Sequence, residues 1–272
     1  MEAGNLNPME EEQRRLQEVK TFVKNNLVVA NNDTALCGDG RPVADEQRVK
    51  ETEGAIREFG ADLGFVFAVA STLARKKIDI SAEEVTNGVI DALLETRGED
   101  SSVYYHTDEE SEKKGTIGCG HAARITNIQN ESLYAPLTSD YAKKIYDFFI
   151  SHPKAKKVVL RGGHEDHKEE GVLLVESKNY NLSPQHSVRT TDGMHMFFVA
   201  DLQRQKEAIG KFFPIFAKKH NISPALYSEE VVKTNLSQMT ATESLLAKGL
   251  PQFMVKISET QEPEINFLSN VS

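Results

Sequence analysis

Cysteine is scarce in this chain, tryptophan is absent, and no apolar run is long enough to cross a membrane. The 272 residues include two cysteines, which excludes a framework of several disulfide bonds. The most apolar stretch, Leu63–Ala74, has 12 residues, whereas a transmembrane helix needs about 20, so it predicts a buried core helix. The first residues are acidic and polar, without the apolar segment of a signal peptide. We expect a cytoplasmic protein that does not enter a membrane.

Clusters of basic residues are missing as well. The chain carries 41 acidic and 32 basic residues, a net charge of −9, and both signs are spread along it. This distribution argues against nucleic acid and against an anionic membrane surface as partners. A chain of this length buries roughly 70–75% of its unfolded surface. It therefore needs neither a disulfide nor a metal merely to fold.

Helical and strand patterns alternate along the chain. A mixture of both, with no linker and no repeat, predicts a single α/β domain over residues 1–258, with a mixed β-sheet core flanked by helices. We expect residues 259–272 to be a mobile C-terminal tail. Predicted helices span 9–26, 63–77, 81–96, 139–151, 201–220 and 228–248, with another from about Ala122. Predicted strands span 34–37 (after a polar turn at 31–33), 103–105, 157–161, 171–176, 194–200 and 252–257.

Both cysteines lie in segments that favour chemistry. Cys37-Gly-Asp39-Gly-Arg41 follows the end of a predicted strand, where residues spaced by two point to one side. A pair between Asp39 and Arg41 would keep the carboxylate ionised and oriented. In Gly118-Cys119-Gly120-His121, the second thiol stands before a helix, whose positive end favours the thiolate. His106, at the end of a predicted strand, lies between the two segments in the chain.

Two thiols and an imidazole are suitable ligands for Zn²⁺. With water in the fourth position, Cys37, His106 and Cys119 fit an open tetrahedral zinc site, and Cd²⁺ also suits two thiolates. A water bound there becomes a nucleophile near neutral pH, and Asp39, oriented by Arg41, can accept its hydrogen. The competing interpretations are that the cysteines are small buried hydrophobic residues or a redox pair, although they lack C-x-x-C spacing.

Other polar residues have simpler interpretations. His121 can replace His106 as a ligand, but its place at a helix start favours a side chain that caps the helix or faces solvent. His164 and His167 lie in a charged loop typical of a solvated turn rather than of a metal site. Asp62, just before the core helix, is an N-cap candidate.

The three segments together resemble the metal-site pattern of carbonic anhydrases. Cys37-Gly-Asp39-Gly-Arg41, followed by a histidine and a cysteine beside glycine, is similar to the β class. His106-Thr-Asp108 and Gly118-Cys119-Gly120-His121 make the chain look closer still to the zeta, or cadmium-type, class, over roughly residues 35–125. The resemblance implies Cys37, His106 and Cys119 as ligands of Zn²⁺ or Cd²⁺, and Asp39 and Arg41 as the dyad beside the bound water. The implied reaction is the reversible hydration of CO₂ to bicarbonate and a proton.

The resemblance also implies an architecture and leaves some points open. The cadmium type has a single α/β domain, whereas β-class chains work as dimers, so either a monomer or a homodimer is open. The chain departs from the β class because 12 residues, rather than two, separate His106 from Cys119. We expect this acidic segment to be flexible, and His121 to become the ligand if the segment does not bring His106 to the metal. Candidates for an apolar CO₂ pocket are Leu63, Phe65, Phe67 and Val69.

Two other functions remain alternatives. One is a hydrolase of CO₂ analogues such as COS or CS₂, with the same metal site. The other is a non-enzymatic protein whose closed structural site takes His121 as a fourth ligand beside Cys37, His106 and Cys119.

Overall fold

A computed structural model of the chain describes residues 7–37, 41–52, 55–58, 60–98, 100–127, 137–162, 171–177, 185–188, 194–199, 218, 252–258 and 261–268. Helices within these ranges are α1 (Pro8–Asn26), α2 (Glu46–Thr52), α3 (Ala61–Arg75), α4 (Ala82–Arg97), α5 (Glu109–Lys114), α6 (Gly120–Thr126) and α7 (Ser139–Ser151). The strands are β1 (Leu27–Cys37), β2 (Ala55–Glu58), β3 (Val103–Asp108), β4 (Ala155–Leu160), β5 (Gly171–Ser177), β6 (Gln185–Val188), β7 (Met194–Val199), β8 (Gln252–Ser258) and β9 (Gln261–Leu268).

Two of the predicted helices begin at polar capping residues. The hydroxyl oxygen of Ser81 accepts the backbone N–H of Glu84 at 3.1 Å and opens α4. The hydroxyl oxygen of Thr138 accepts the N–H of Tyr141 at 3.3 Å at the start of α7. The predicted core helix is α3, most of whose residues are buried.

Asp62 does not cap α3, contrary to the sequence-based expectation. The helix begins after Gly60, whose φ is +66°. The Asp62 carboxylate lies in the first turn and accepts two hydrogen bonds from the Arg97 guanidinium, at 2.7 and 3.0 Å. It also accepts the backbone N–H of Tyr104 at 3.0 Å. Asp62, which is buried, therefore connects α3 to α4 and to β3.

Strand pairing within the described residues forms three sheets. β1 lies between β2, which is parallel to it, and β6, which is antiparallel. β3 and β4 form a parallel pair, and β1 also packs beside β3. The third sheet has the order β7-β5-β8-β9, with parallel pairing except between β8 and β9. Helices mixed with parallel strand pairs are consistent with the predicted α/β class.

The core covers both faces of β3. On one face, Val103 and Tyr105 contact a large apolar cluster built on α3, α4 and α7. On the other face, Tyr104 packs with Leu36 of β1 and Val158 of β4 in a smaller cluster. Alternate residues of β3 thus meet different layers, as a strand buried on both faces requires.

Two local predictions differ from the structure. The polar turn expected at 31–33 does not delimit a strand, because β1 runs from Leu27 to Cys37 with a register irregularity between Asn31 and Ala35. The expected mobile tail at 259–272 contains β9, which pairs antiparallel with β8, buries Ile265 and places the ring of Phe267 5.4 Å from that of Phe253. In the tail, pairing with β8 overrides the polar local composition.

Several predicted elements lie outside the part of the chain that the structure describes. These are the helices expected at 201–220, apart from Lys218, and at 228–248, and the loop with His164 and His167. Among the helices that are described, none combines the length and the apolar character that crossing a bilayer requires.

Candidate metal centre

Cys37 is the last residue of β1 and is buried. β2 pairs in parallel with β1 up to this position, where Cys37 lies opposite Glu58. After Cys37 the chain crosses to β4: Val43 bridges Leu160, and the backbone N–H of Ala44 donates to Val159 at 2.7 Å. The thiol therefore lies at the end of β1, a few residues before the segment that pairs with β4.

His106 lies in β3 and is buried. It pairs in parallel register with Val158 of β4. Since side chains alternate along a strand, His106 shares one face of β3 with Tyr104 and Asp108. The sequence places His106 just beyond a strand of three residues, whereas the strand extends through Asp108.

Cys119 is brought back to β3 by a folded segment rather than a flexible one. Residues 109–114 form α5, which is capped by the Asp108 carboxylate and ends at Gly115, where φ is +64°. Gly118 then packs directly on the strand: a Cβ built there would lie 2.5 Å from Thr107 Oγ1 and 2.6 Å from the Asp108 backbone nitrogen. Only glycine permits this close approach, and it positions Cys119 beside β3.

The three predicted ligands converge in the structure. The Sγ atoms of Cys37 and Cys119 and a ring nitrogen of His106 all lie within 4.8 Å of one another. In a tetrahedral zinc site, Zn–S bonds of about 2.3 Å and Zn–N bonds of about 2.0–2.1 Å place ligand atoms about 3.5–3.8 Å apart. Shifts of about 1 Å therefore suffice to close the group around an ion. Two thiols and one imidazole form a donor set suited to Zn²⁺ or a softer cation, so this buried group fits a metal.

His121 is not a member of this group. Its side chain is buried rather than exposed, and a Cβ at Gly60 would lie 2.9 Å from its Cδ2 atom. The helix α6 is capped by Cys119, whose sulfur accepts the backbone N–H of Ala122 at 3.5 Å. The expectation that His121 caps the helix or faces solvent is therefore wrong: it packs against the start of α3.

Arg41 pairs with a residue that the sequence-based reasoning missed. Its guanidinium is fully buried; Nη1 donates to the Gly162 carbonyl at 3.0 Å and lies 3.5 Å from Asp108 Oδ2. The expected partner, Asp39, lies outside the described residues. Two sequence signals point to Asp108: the two-residue spacing from His106 on a strand, and its place before the acidic first turn of a helix.

Asp108 is held in its ionised form. Burial by itself raises the pKa of Asp108. Hydrogen bonds from the backbone N–H and the hydroxyl of Ser111 lower it, as does the charge of Arg41, and together they place the pKa below its ordinary value. The hydrogen bond from the Ser111 N–H measures 2.7 Å. An anionic and a cationic side chain, both buried, thus stand at the end of β3, two residues beyond the histidine of the group.

The surroundings of Cys119 are apolar. Cys119 belongs to the large apolar cluster, which also contains Leu63, Phe67 and Val69. These three residues are candidates from the sequence for a CO₂ pocket, and the fourth candidate, Phe65, is partly buried against the same cluster. Burial raises the pKa of Tyr146 to about 12, and the neighbouring Tyr105 and Cys119 add to the effect. The Tyr146 hydroxyl is therefore neutral near physiological pH, and Cys119 faces a medium of low polarity.

Comparison with known proteins identifies no relative of this chain. Neither the models of known protein families nor the curated proteins and solved structures contain a match to this chain.

Proposed function

We propose that this chain is a metal-dependent carbonic anhydrase that catalyses the reversible hydration of CO₂ to bicarbonate and a proton. The observation that carries the proposal is the buried convergence of Cys37, His106 and Cys119 within 4.8 Å. Three ligands are typical of catalytic zinc sites, which leave a fourth position open, whereas structural sites use four. The resemblance of the three segments to the zeta and β classes selects the reaction.

The chain's own residues supply the environment that this chemistry needs. A bound Zn²⁺ or Cd²⁺ would provide Lewis-acid activation of water near neutral pH. Cys37 and Cys119, as thiolates, would balance its charge, and His106 would complete the donor set. The buried guanidinium of Arg41, paired with Asp108 at the end of the strand that carries His106, would provide a fixed positive charge, which suits the formation of an anionic product.

The substrate class agrees with the polarity of the site. CO₂ is small, neutral and apolar, so an approach beside Cys119, which packs with apolar side chains, requires little desolvation. Asp39, between Cys37 and Arg41 in the sequence, remains the proposed acceptor of the hydrogen of the attacking water. COS and CS₂ share the size and apolar character of CO₂, so they are the substrates to compare.

The proposal is tested by metal analysis and stopped-flow CO₂ hydration of one purified preparation. Cys37→Ser and His106→Asn should each lose bound metal and activity, because each removes one of three ligands. The matched control is His152→Asn, since His152 lies at the end of α7 outside the ligand group, and this variant should keep both.

The outcomes separate the alternatives. Stoichiometric metal without CO₂ hydration contradicts the proposal, and turnover of COS or CS₂ alone selects the related hydrolase. A Co²⁺ form whose absorption spectrum shows four protein ligands and no exchangeable position selects a closed structural site. Retention of metal and activity in Cys37→Ser contradicts both the proposal and the ligand set.

A further inference from the structure

Arg41 is the largest fully buried side chain among the described residues. A buried guanidinium is strongly unfavourable unless a counter-charge and hydrogen bonds compensate its lost hydration. The Gly162 carbonyl and the Asp108 carboxylate both lie close to its Nη1 atom. Of these two, only Asp108 carries a charge that balances it.

Asp108 is fixed independently of Arg41. Its Oδ1 atom accepts the Ser111 N–H at 2.7 Å, whereas Oδ2 is the atom that faces Arg41. Gly118 packs against its backbone nitrogen. A carboxylate held at both its backbone and one oxygen is a rigid anchor, so its second oxygen presents the negative charge at a defined place.

The ion pair joins two residues that lie close in the chain to the first two ligands. Arg41 follows Cys37 by four residues, and Asp108 follows His106 by two, on the same face of β3. The contact between them therefore ties the chain that leaves β1 to the end of β3. Because four residues separate Arg41 from Cys37, we expect a shift of Arg41 to change the position of Cys37 relative to His106.

We propose that Asp108 is a positioning residue of the metal centre, which acts through Arg41 by holding its guanidinium beside the ligand group. The inference deepens the proposed function and rests on it for the activity readout alone; its effect on metal affinity is independent of the reaction. Partners of metal ligands in the surrounding shell change metal affinity or activity by about 10–100-fold when they are removed.

The test uses Asp108→Asn, because asparagine caps helices about as well as aspartate but carries no charge. The variant keeps the cap of α5 and loses the ion pair. The matched control is Asp45→Asn, the same change at an exposed aspartate whose carboxylate accepts the Gln47 N–H at 2.9 Å at the start of α2. We expect Co²⁺ affinity to fall about 10-fold or more in Asp108→Asn, with an altered visible spectrum of bound Co²⁺, and no change in the control.

A double-mutant cycle with Arg41→Gln shows whether Asp108 acts through Arg41. We expect Asp108→Asn to lower Co²⁺ affinity much less in the Arg41→Gln background, because the guanidinium that needs the carboxylate is gone. An equal loss in both backgrounds, or wild-type affinity in Asp108→Asn, overturns the inference. If Asp108→Asn alone does not fold, the double variant should recover a folded, metal-binding protein, and its failure to do so overturns the inference.

The inference and the proposed function fail in distinguishable ways. A wild-type protein that binds Co²⁺ but does not hydrate CO₂ contradicts the function and leaves the affinity cycle intact as the test of Asp108. A wild-type protein that hydrates CO₂ while Asp108→Asn keeps full metal affinity, spectrum and turnover contradicts the inference alone.

Discussion

Gly118→Ala should damage both the metal centre and the fold. A Cβ at this position would lie 2.5 Å from Thr107 Oγ1, 2.6 Å from the Asp108 backbone nitrogen and 2.7 Å from Thr107 Cα. Ordinary contacts between carbon atoms are about 3.5–4.0 Å, so the segment before Cys119 must move away by about 1 Å. Two of the three atoms belong to the backbone of β3, and a rotamer change cannot relieve the clash.

The expected magnitude follows from overpacking and from the geometry of the ligands. Forcing extra atoms into a packed site costs typically about 1–3 kcal/mol, and here we expect the upper part of that range in urea unfolding. A displacement of about 1 Å at Cys119 is also comparable to the whole adjustment needed to close the ligand group. We therefore expect at least a 10-fold loss of Zn²⁺ or Co²⁺ affinity in a metal titration.

Gly115→Ala is the matched control. Gly115 has a φ of +64° and no atom within 4 Å of a built Cβ, so alanine there costs about 1–2 kcal/mol of backbone strain without pushing on β3. This variant should lose stability but keep metal affinity. Wild-type stability and metal affinity in Gly118→Ala would refute the reasoning, and so would equal losses of affinity in both variants.

Two further predictions concern the framework around the site. Asp62→Asn leaves Arg97, whose side chain is 13% exposed, without its counter-charge. It should lower the free energy of unfolding, measured in urea, by about 3 kcal/mol, the lower end of the range for breaking a buried pair. Asp140→Asn breaks an exposed pair with Lys144 and should cost less than about 1 kcal/mol; similar losses in the two variants would contradict the structure. The hydrogen bond from Arg48 outweighs the effect of burial and holds the pKa of Glu51 below its ordinary 4.5. The ionised Glu51 side chain therefore stabilises the fold above pH 4.5, and this stabilisation disappears as the pH falls through the lower, folded-state pKa. The difference in melting temperature between wild type and Glu51→Gln should therefore shrink between pH 6 and pH 3; a constant difference would exclude this role.

Local patterns in the sequence were sufficient for most of the described helices and for the choice of candidate ligand residues. Ser81 with Glu84 marks the start of α4, since capping depends on residues close in the chain. Cys37, His106 and Cys119 are recognisable because metal affinity is a property of the side chains themselves. The strands that the sequence did not predict depend on pairing with another strand, as β9 does with β8.

The arrangement around the ligands depended on tertiary structure. Asp62 bonds Arg97 and the Tyr104 N–H rather than capping α3, because its carboxylate meets groups 35 and 42 residues away in the chain. Arg41 meets Asp108 because Val43 and Ala44, which follow it, pair with β4, the neighbour of β3. The sequence therefore identifies which atoms can bind a metal. The convergence of these atoms, and the pairing of Arg41 with Asp108, follow from the order of the strands and from the close packing of Gly118 on β3. Neither the strand order nor this packing can be read from a local pattern in the sequence.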